Sequence, residues 1–343
     1  MDFWTGPHNA NGYRAEARRP FFDNHGDTRT NEMKTTRRGR LSPDVARDAA
    51  TERRDGVLDR RDDVKRRKLE MILDRFFRPG RWATRASYAF GLQSGRPVHV
   101  DRHEVPVART NAARPLRVAF ASDFHAGATT SARVLASACA ALDALEPDVV
   151  LLGGDFVSVR ADDIRALAPL LAQVRAPFGK FGVFGNHDLR ANRELLADAL
   201  AAAGVRMLVN EVVRLPAPHD DVSIVGLDDP IRGTPRGEVL DAADGMRILL
   251  MHAPDGLLAV GNRHFDLALC GHTHGGQIVL PGGSMPYLPH GTLSREYPVG
   301  LFHLEAGRTL LVSRGVGCST VPVRFGCPSE VHVATLGVPC ANR

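Results

Sequence analysis

The sequence predicts an α/β fold in which two mixed β-sheets stack face to face and helices cover their outer sides. Three observations predict it. From about Pro97 to Val209, short apolar runs alternate with helical patterns, the texture of a mainly parallel sheet. Beyond Val209 the helices thin out and short strands dominate, which implies a second, mixed sheet packed on the first. No Pro/Gly/Ser linker separates the halves, and side chains able to bind a metal come from both, so one domain over residues 97–338 fits better than two.

Residues 1 to about 55 are rich in Arg, Asp, Asn, Gly and Thr, show no sustained apolar period, and are expected to be disordered. They open a basic N-terminal extension, residues 1–90, with 21 Lys and Arg against 14 Asp and Glu. Within it, over 57–77, Leu69, Ile72, Leu73, Phe76 and Phe77 fall at helical spacing beside Lys65-Arg66-Arg67-Lys68, and Pro79-Gly80 stops the pattern. This amphipathic helix has two readings: an element docked on the body or solvated, or peripheral contact with an anionic membrane surface. Arg18-Arg19-Pro20-Phe21-Phe22 is followed by Asp-Asn-His-Gly-Asp rather than an apolar stretch, so it is not read as an export signal.

The body begins with an apolar strand at 116–121, followed by an alanine-rich helix at 131–145 and a strand at 148–152. A helix at 162–174, a strand at 179–184, a helix at 192–203 and a strand at 205–209 continue the alternation. Strands at 212–215, 222–226, 247–250, 267–270, 301–304, 310–313 and 330–336 form the second half. The net charge of +5 resides in the extension, which leaves the body close to neutral and gives no electrostatic reason to expect nucleic acid as a partner. Five cysteines, with no CxxC pair, fit free thiols in a reducing compartment. No run of 18 apolar residues exists, and the expected location is cytoplasmic, peripheral to the membrane at most.

Five short segments at predicted strand ends carry groups that bind metals: Ser122-Asp123-Phe124-His125, Gly153-Gly154-Asp155, Gly185-Asn186-His187-Asp188, Met251-His252 and Gly271-His272-Thr273-His274. Strand ends in an open α/β sheet converge on one crevice, so residues distant in sequence become neighbours there. Singly, each has a plain reading: a surface turn at Asp123 and His125, a turn aspartate at 155, a helix cap at Asp188, a core histidine at 252. Two imidazoles among the glycines of 271–276 resist such a reading, and in this order the set reads as one site. Carboxylate, imidazole and amide oxygen suit Mn, Fe, Zn, Co or Ni rather than calcium or a structural zinc.

In these motifs the chain resembles the calcineurin-like metallophosphoesterases, whose pattern is Asp-x-His, Gly-Asp, Gly-Asn-His-Asp/Glu, His and Gly-His-x-His. The resemblance covers roughly residues 97–338 and implies the superfamily's four-layer α/β/β/α sandwich. Gly226-Leu227-Asp228-Asp229-Pro230, Leu249 to Asp255, Gly271 to Gln277 and Val312 to Gly317 look most similar to a bacterial branch that includes membrane-associated phosphoesterases and a UDP-diacylglucosamine pyrophosphatase. By this resemblance one metal is held by Asp123, His125, Asp155 and His274. The second is held by Asp155, Asn186, His252 and His272, with Asp155 bridging the two.

The implied cofactor is two divalent ions, manganese favoured, and the implied reaction is attack of a metal-bridging hydroxide on a phosphodiester or pyrophosphate bond of a phosphate ester substrate. A lipid-linked or nucleotide-linked substrate is expected. His187, left without a metal, is the expected proton donor to the leaving oxygen, with Asp188 fixing its tautomer. Phe156-Val157-Ser158-Val159 replaces the Asp and Arg of protein phosphatases of this fold, and His187 replaces the arginine of the larger class of lipid A pathway pyrophosphatases. One rival is a cyclic-nucleotide or general phosphodiesterase of the same superfamily. The other is a non-catalytic scaffold on the same fold, which loss of a ligand or of the motif histidine would mark; all are present here.

Overall fold

A computed structural model describes residues 60–78, 82–93, 97–105, 115–289 and 291–337. Its twelve strands are β1 (His99–Val105), β2 (Leu116–Ala121), β3 (Val149–Leu152), β4 (Lys180–Gly182), β5 (Val205–Met207), β6 (Glu211–Arg214), β7 (Val222–Gly226), β8 (Met246–Leu250), β9 (Leu267–Cys270), β10 (Gly300–His303), β11 (Thr309–Val312) and β12 (Glu330–Leu336). They form two six-stranded sheets, in the orders β1-β12-β2-β3-β4-β5 and β10-β11-β9-β8-β7-β6. Both are mixed: β2 to β5 run parallel, β12 is antiparallel to β2 and parallel to β1, and β10 and β6 are antiparallel edges of the second sheet.

The strand sequences explain the stacking. Along β2 and β3, Leu116, Val118, Phe120, Val149 and Leu151 face the second sheet, while Ala119, Ala121, Val150 and Leu152 face the helices. In β8 and β9, Ile248, Leu250, Leu267 and Leu269 face the first sheet, and Leu249, Ala268 and Cys270 face outward under a separate cover. A strand buried on both faces reads as a continuous apolar run. Each fully buried Leu, Val or Phe stabilises the folded state by about 1.5–3 kcal/mol.

Helices α3 (Ala132–Ala144), α4 (Ala168–Gln173) and α5 (Arg193–Ala202) cover the first sheet. Ser131 caps α3 by accepting from Arg133 N, and Asn192 caps α5 by accepting from Leu195 N. The continuous helix expected at 162–174 is instead a 3-10 segment, Ala161–Ala166, followed by α4. Pro169 sits in the first turn of α4, where its missing N–H costs nothing, and it interrupts the ladder a single helix would need. Short helices α6 (Leu257–Val260) and α7 (Thr292–Glu296) lie over the second sheet.

Two further helices precede the body: α1 (Arg60–Phe77), at the amphipathic helix expected over 57–77, and α2 (Trp82–Ala89), in the part of the extension expected to be disordered; residues 1–59 lie outside the described residues. Buried acids tie α1 to the body. Glu70 accepts from Arg190 at 2.8 and 3.0 Å, and Asp74 accepts from Arg78 and Arg160 at 2.6 and 3.0 Å. Arg78 also bonds Asp163 at 2.7 Å, and Gln93, just past α2, donates to Thr129 O and Pro322 O. Where described, residues 60–93 are therefore part of the folded unit and not disordered. Cys139, Cys270, Cys318 and Cys327 are free and buried, and Cys340 lies outside the described residues. Among the described residues no helix is long and apolar enough to cross a membrane.

Candidate metal centre

β2, β3, β8 and β9 all end at one crevice between the sheets, and Asp123, Asp155, His252 and the 271–274 segment follow within three residues of those ends. The chain turns there under strain. Asp123, His125, Asp155, His272 and His274 have φ of 56°, 45°, 53°, 70° and 53°, half of the non-glycine positive-φ residues among those described. Each such conformation costs of order 1–3 kcal/mol and persists where the surroundings over-determine it. Close packing leaves no slack: a Cβ on Gly185 would overlap Asp155 Oδ1 and lie 2.7 Å from His252 Cε1.

The structure brings all seven expected ligands together, each at most 7% exposed. His125 Nε2 lies 3.0 Å from His274 Nε2, 3.5 Å from Asp155 Oδ2 and 3.9 Å from Asp123 Oδ1. His274 Nε2 is 3.4 Å from Asp123 Oδ1. On the other side His252 Nε2 is 3.3 Å from Asp155 Oδ2 and 3.1 Å from Asn186 Oδ1. Asp123, His125 and His274 form one group able to hold a cation, and Asp155, His252 and His272 another.

The hydrogen bonds divide each aspartate in the same way. Asp123 Oδ2 accepts from Ser122 Oγ at 2.6 Å and His272 N at 3.0 Å, while buried Oδ1 has no hydrogen bond and points at imidazole nitrogen. Asp155 Oδ1 accepts from His187 N at 2.8 Å, and Oδ2 is left between His125 and His252. His252 Nδ1 donates to Gly153 O at 2.8 Å, which orients the ring so that Nε2 faces the carboxylate. Carboxylate oxygens and imidazole nitrogens aimed at one another from a water-poor setting are what divalent transition ions need, so the residues fit such a pair.

Electrostatics follow from burial. His125 is pushed down to about 3 by burial, against the pull of Asp155. His274 is driven well below the usual histidine value by burial, by His125 and by the guanidinium of Arg324. Burial would raise Asp155, but His252 and His187 hold it well below the usual carboxylate range. Asp123 is pushed up to about 6, chiefly by burial.

His187 lies edge-on to His125, ring centroids 4.8 Å apart, and lines a small cavity with Glu70, Asp74, Thr129, Ser158 and Val159. Its Nδ1 donates to Ser158 O at 2.7 Å, so a backbone carbonyl sets its tautomer. The pairing expected with Asp188 is replaced: that carboxylate accepts from Gly185 N at 3.0 Å and Val157 N at 3.3 Å, fixing the turn that carries Asn186 and His187. Burial and neighbouring Asp155 push Asp188 well above the usual range.

Several contributors escaped sequence reasoning. The Gly153 and Ser158 carbonyls have no side-chain signal. Buried Arg324 donates to Gly317 O and Arg314 O and places NH2 3.2 Å from His274 Nδ1; a lone arginine carries no motif. Glu70 and Asp74 reach the cavity from α1, and their i, i+4 spacing after the cationic run 65–68 was a usable sign of an inward face.

Comparison with known proteins identifies the family. The calcineurin-like phosphoesterase family model matches residues 116–276. Phosphodiesterase YaeI of Escherichia coli K12 is 30% identical over 239 residues, 68% of this chain and 87% of that protein. The uncharacterized metallophosphoesterase YkuE of Bacillus subtilis 168 is 32% identical over 63% of this chain and 77% of its own length. Among solved structures, the 5'-nucleotidase precursor of Thermus thermophilus is similar with a TM-score of 0.40 at 16% identity, over 65% of this chain and 55% of that one. This chain belongs to the calcineurin-like phosphoesterase family and is a hydrolase acting on phosphate esters.

Proposed function

We propose that this hydrolase cleaves a phosphodiester or pyrophosphate bond at two divalent cations. One is held by Asp123, His125, Asp155 and His274, the other by Asp155, Asn186, His252 and His272. The observation that carries this reading is the placement of Asp155 Oδ2, 3.5 Å from His125 Nε2 and 3.3 Å from His252 Nε2, between two otherwise separate donor groups. When bound, such a pair supplies Lewis-acid activation of water and neutralises phosphoryl oxygens. Manganese is the ion proposed, its carboxylate and amide oxygen donors being of the kind that suit it, with iron, zinc and nickel the ions that suit the imidazoles.

His187 donates the proton to the leaving oxygen. With Nδ1–H committed to Ser158 O, Nε2 is the nitrogen that exchanges a proton in the cavity. Asp188 acts as a positioning residue through the 185–188 turn. A diester or anhydride is favoured over a simple monoester by the similarity to a relative named a phosphodiesterase.

The lipid-linked form of that substrate, with peripheral attachment to an anionic membrane surface, rests on α1. With Glu70 and Asp74 turned inward, its outer face presents Val64, Leu69, Met71, Ile72 and Phe76 among Lys65, Arg67, Lys68 and Arg75. A helix of that kind lies in a bilayer interface, apolar groups down and cations against lipid phosphates.

Elemental analysis tests the bridge. Asp155→Ala removes a donor from each group and should leave no more than one metal per chain, whereas Asp123→Ala should chiefly deplete one. Two fully bound metals in Asp155→Ala would overturn the assignment.

A further inference from the structure

A second group of metal-binding side chains lies outside the centre described above, on the edge of the first sheet. In β1 the residues His99, Asp101 and His103 alternate onto one face, and β12 places Glu330 and His332 on the same face. The parallel register sets His99 opposite Glu330 and Asp101 opposite His332. Three of the chain's 14 histidines and two carboxylates thus share a patch of two strands.

The atoms converge as well. His103 Nε2 lies 3.2 Å from His332 Nδ1, with the rings stacked at 5.4 Å between centroids. Asp101, Glu330 and His332 each bring a donor atom within 4.8 Å of the others. His332 Nε2 sits 3.1 Å from Glu330 Oε1 and 2.9 Å from Ser313 Oγ, so its proton belongs on Nε2 and its Nδ1 faces His103 with a lone pair. A carboxylate behind a ligating imidazole is the usual device for fixing tautomer and raising basicity. Arg314 holds Glu330 at 2.9 Å, which occupies that carboxylate and keeps a cation on the His103 side.

Exposure and charge suit uptake. Glu330 and His332 are buried, whereas the His99 side chain is 54% exposed and Asp101 31%, so the patch is backed by protein and open at its rim. His103 is pushed down to about 4, chiefly by burial, so it stays neutral near pH 7. Burial would raise Asp101, but the hydrogen bond from His99 at 2.8 Å holds it well below the usual carboxylate range.

We propose that His103 Nε2, His332 Nδ1 and the Asp101 carboxylate, with His99 as the fourth donor, form a site for one divalent transition-metal ion of the zinc, cobalt or nickel class. Nitrogen-rich donors with one carboxylate and no thiolate define that class. The ion would clip edge strand β1 to β12. Through Glu330 it would also lean on the 313–317 loop, whose Val316 N and Gly317 N donate to Ser122 O and Asp123 O at the metal centre.

Cobalt(II) titration of the full chain, read by absorbance and by metal content after gel filtration, tests the site. The wild type should take a third equivalent whose spectrum lacks a thiolate charge-transfer band. His103→Ala and Asp101→Asn, both near the rim, should lose that equivalent while retaining two and a cooperative unfolding transition. In an Asp155→Ala background the edge equivalent should persist and disappear when His103→Ala is added, which separates its failure from failure of the dinuclear reading. Saturation of the wild type at two equivalents, a thiolate band on the third, or its survival in both rim variants would overturn the proposal.

Discussion

His187→Ala probes the division of labour at the centre most directly. The imidazole is buried, 4.8 Å from the His125 ring, and held by a 2.7 Å hydrogen bond to the Ser158 carbonyl. His125 and Asp155 keep their other contacts when it is removed, so metal content should stay at the wild-type level. Loss of a general acid costs roughly 10²–10⁴-fold in turnover, about 2.7–5.5 kcal/mol of barrier, when the leaving group is an alkoxide. An aryl ester that expels p-nitrophenolate needs no proton, and there the loss should shrink to about tenfold or less. The assay is kcat for a matched pair of diesters, aryl and alkyl, with metal measured on the same samples. Equal losses on both would refute the proton-donor argument. Loss of a metal would instead make His187 a ligand, since its donor atom falls in one group with His125 and Asp155.

Gly185→Ala should abolish metal loading while the chain still folds, because the added Cβ meets both Asp155 and His252; overpacking of this kind costs about 1–3 kcal/mol. Normal metal content in that variant would show that the turn can yield. Replacing Lys65, Arg67, Lys68 and Arg75 together by Gln should release the protein from phosphatidylserine vesicles at low salt, each cation being worth about 1 kcal/mol at such a surface. Co-sedimentation equal to the wild type, or none by the wild type, would leave α1 as a docking element. The folded value of His103, about 4, lies below its unfolded value, so the unfolded chain takes up the proton first. Metal-free protein should therefore lose on the order of 3 kcal/mol of stability as pH falls from roughly 6.5 to 4, and His103→Gln should flatten that limb in denaturant melts.

Most of the body and the convergence of the seven expected ligand positions were legible because their signals are chemical and local. Val149 to Leu152 followed by Gly-Gly-Asp can be read without neighbours, and the structure places that aspartate at the strand end as expected. β1 was not legible: His-Val-Asp-Arg-His-Glu-Val carries valine only at its second and last positions and lies at a sheet edge, where polar side chains are tolerated. The inward turn of α1 was hidden for a different reason. Its apolar residues, which periodicity counts, mostly face outward, and Glu70 and Asp74 face the body because Arg190 and Arg160 wait there. Backbone carbonyls that set histidine tautomers leave no trace in residue identity.

The position of β12 governs when this protein can become an enzyme. All seven expected ligands have been synthesised by residue 274, yet the strand that sits between β1 and β2 comes from residues 330–336. Until it arrives, a growing chain holds β2 with one unpaired flank and β1 without the strand it pairs with, an open ladder that invites mispairing with other chains. Glu330, which accepts from the backbone of Arg314, arrives with the same strand, so the 313–317 loop behind Asp123 gains its anchor only then. A chain cut after residue 300 would thus carry every expected ligand without the strand that completes the first sheet. The seven residues of β12 thus close the first sheet only after every expected ligand has been written into the chain.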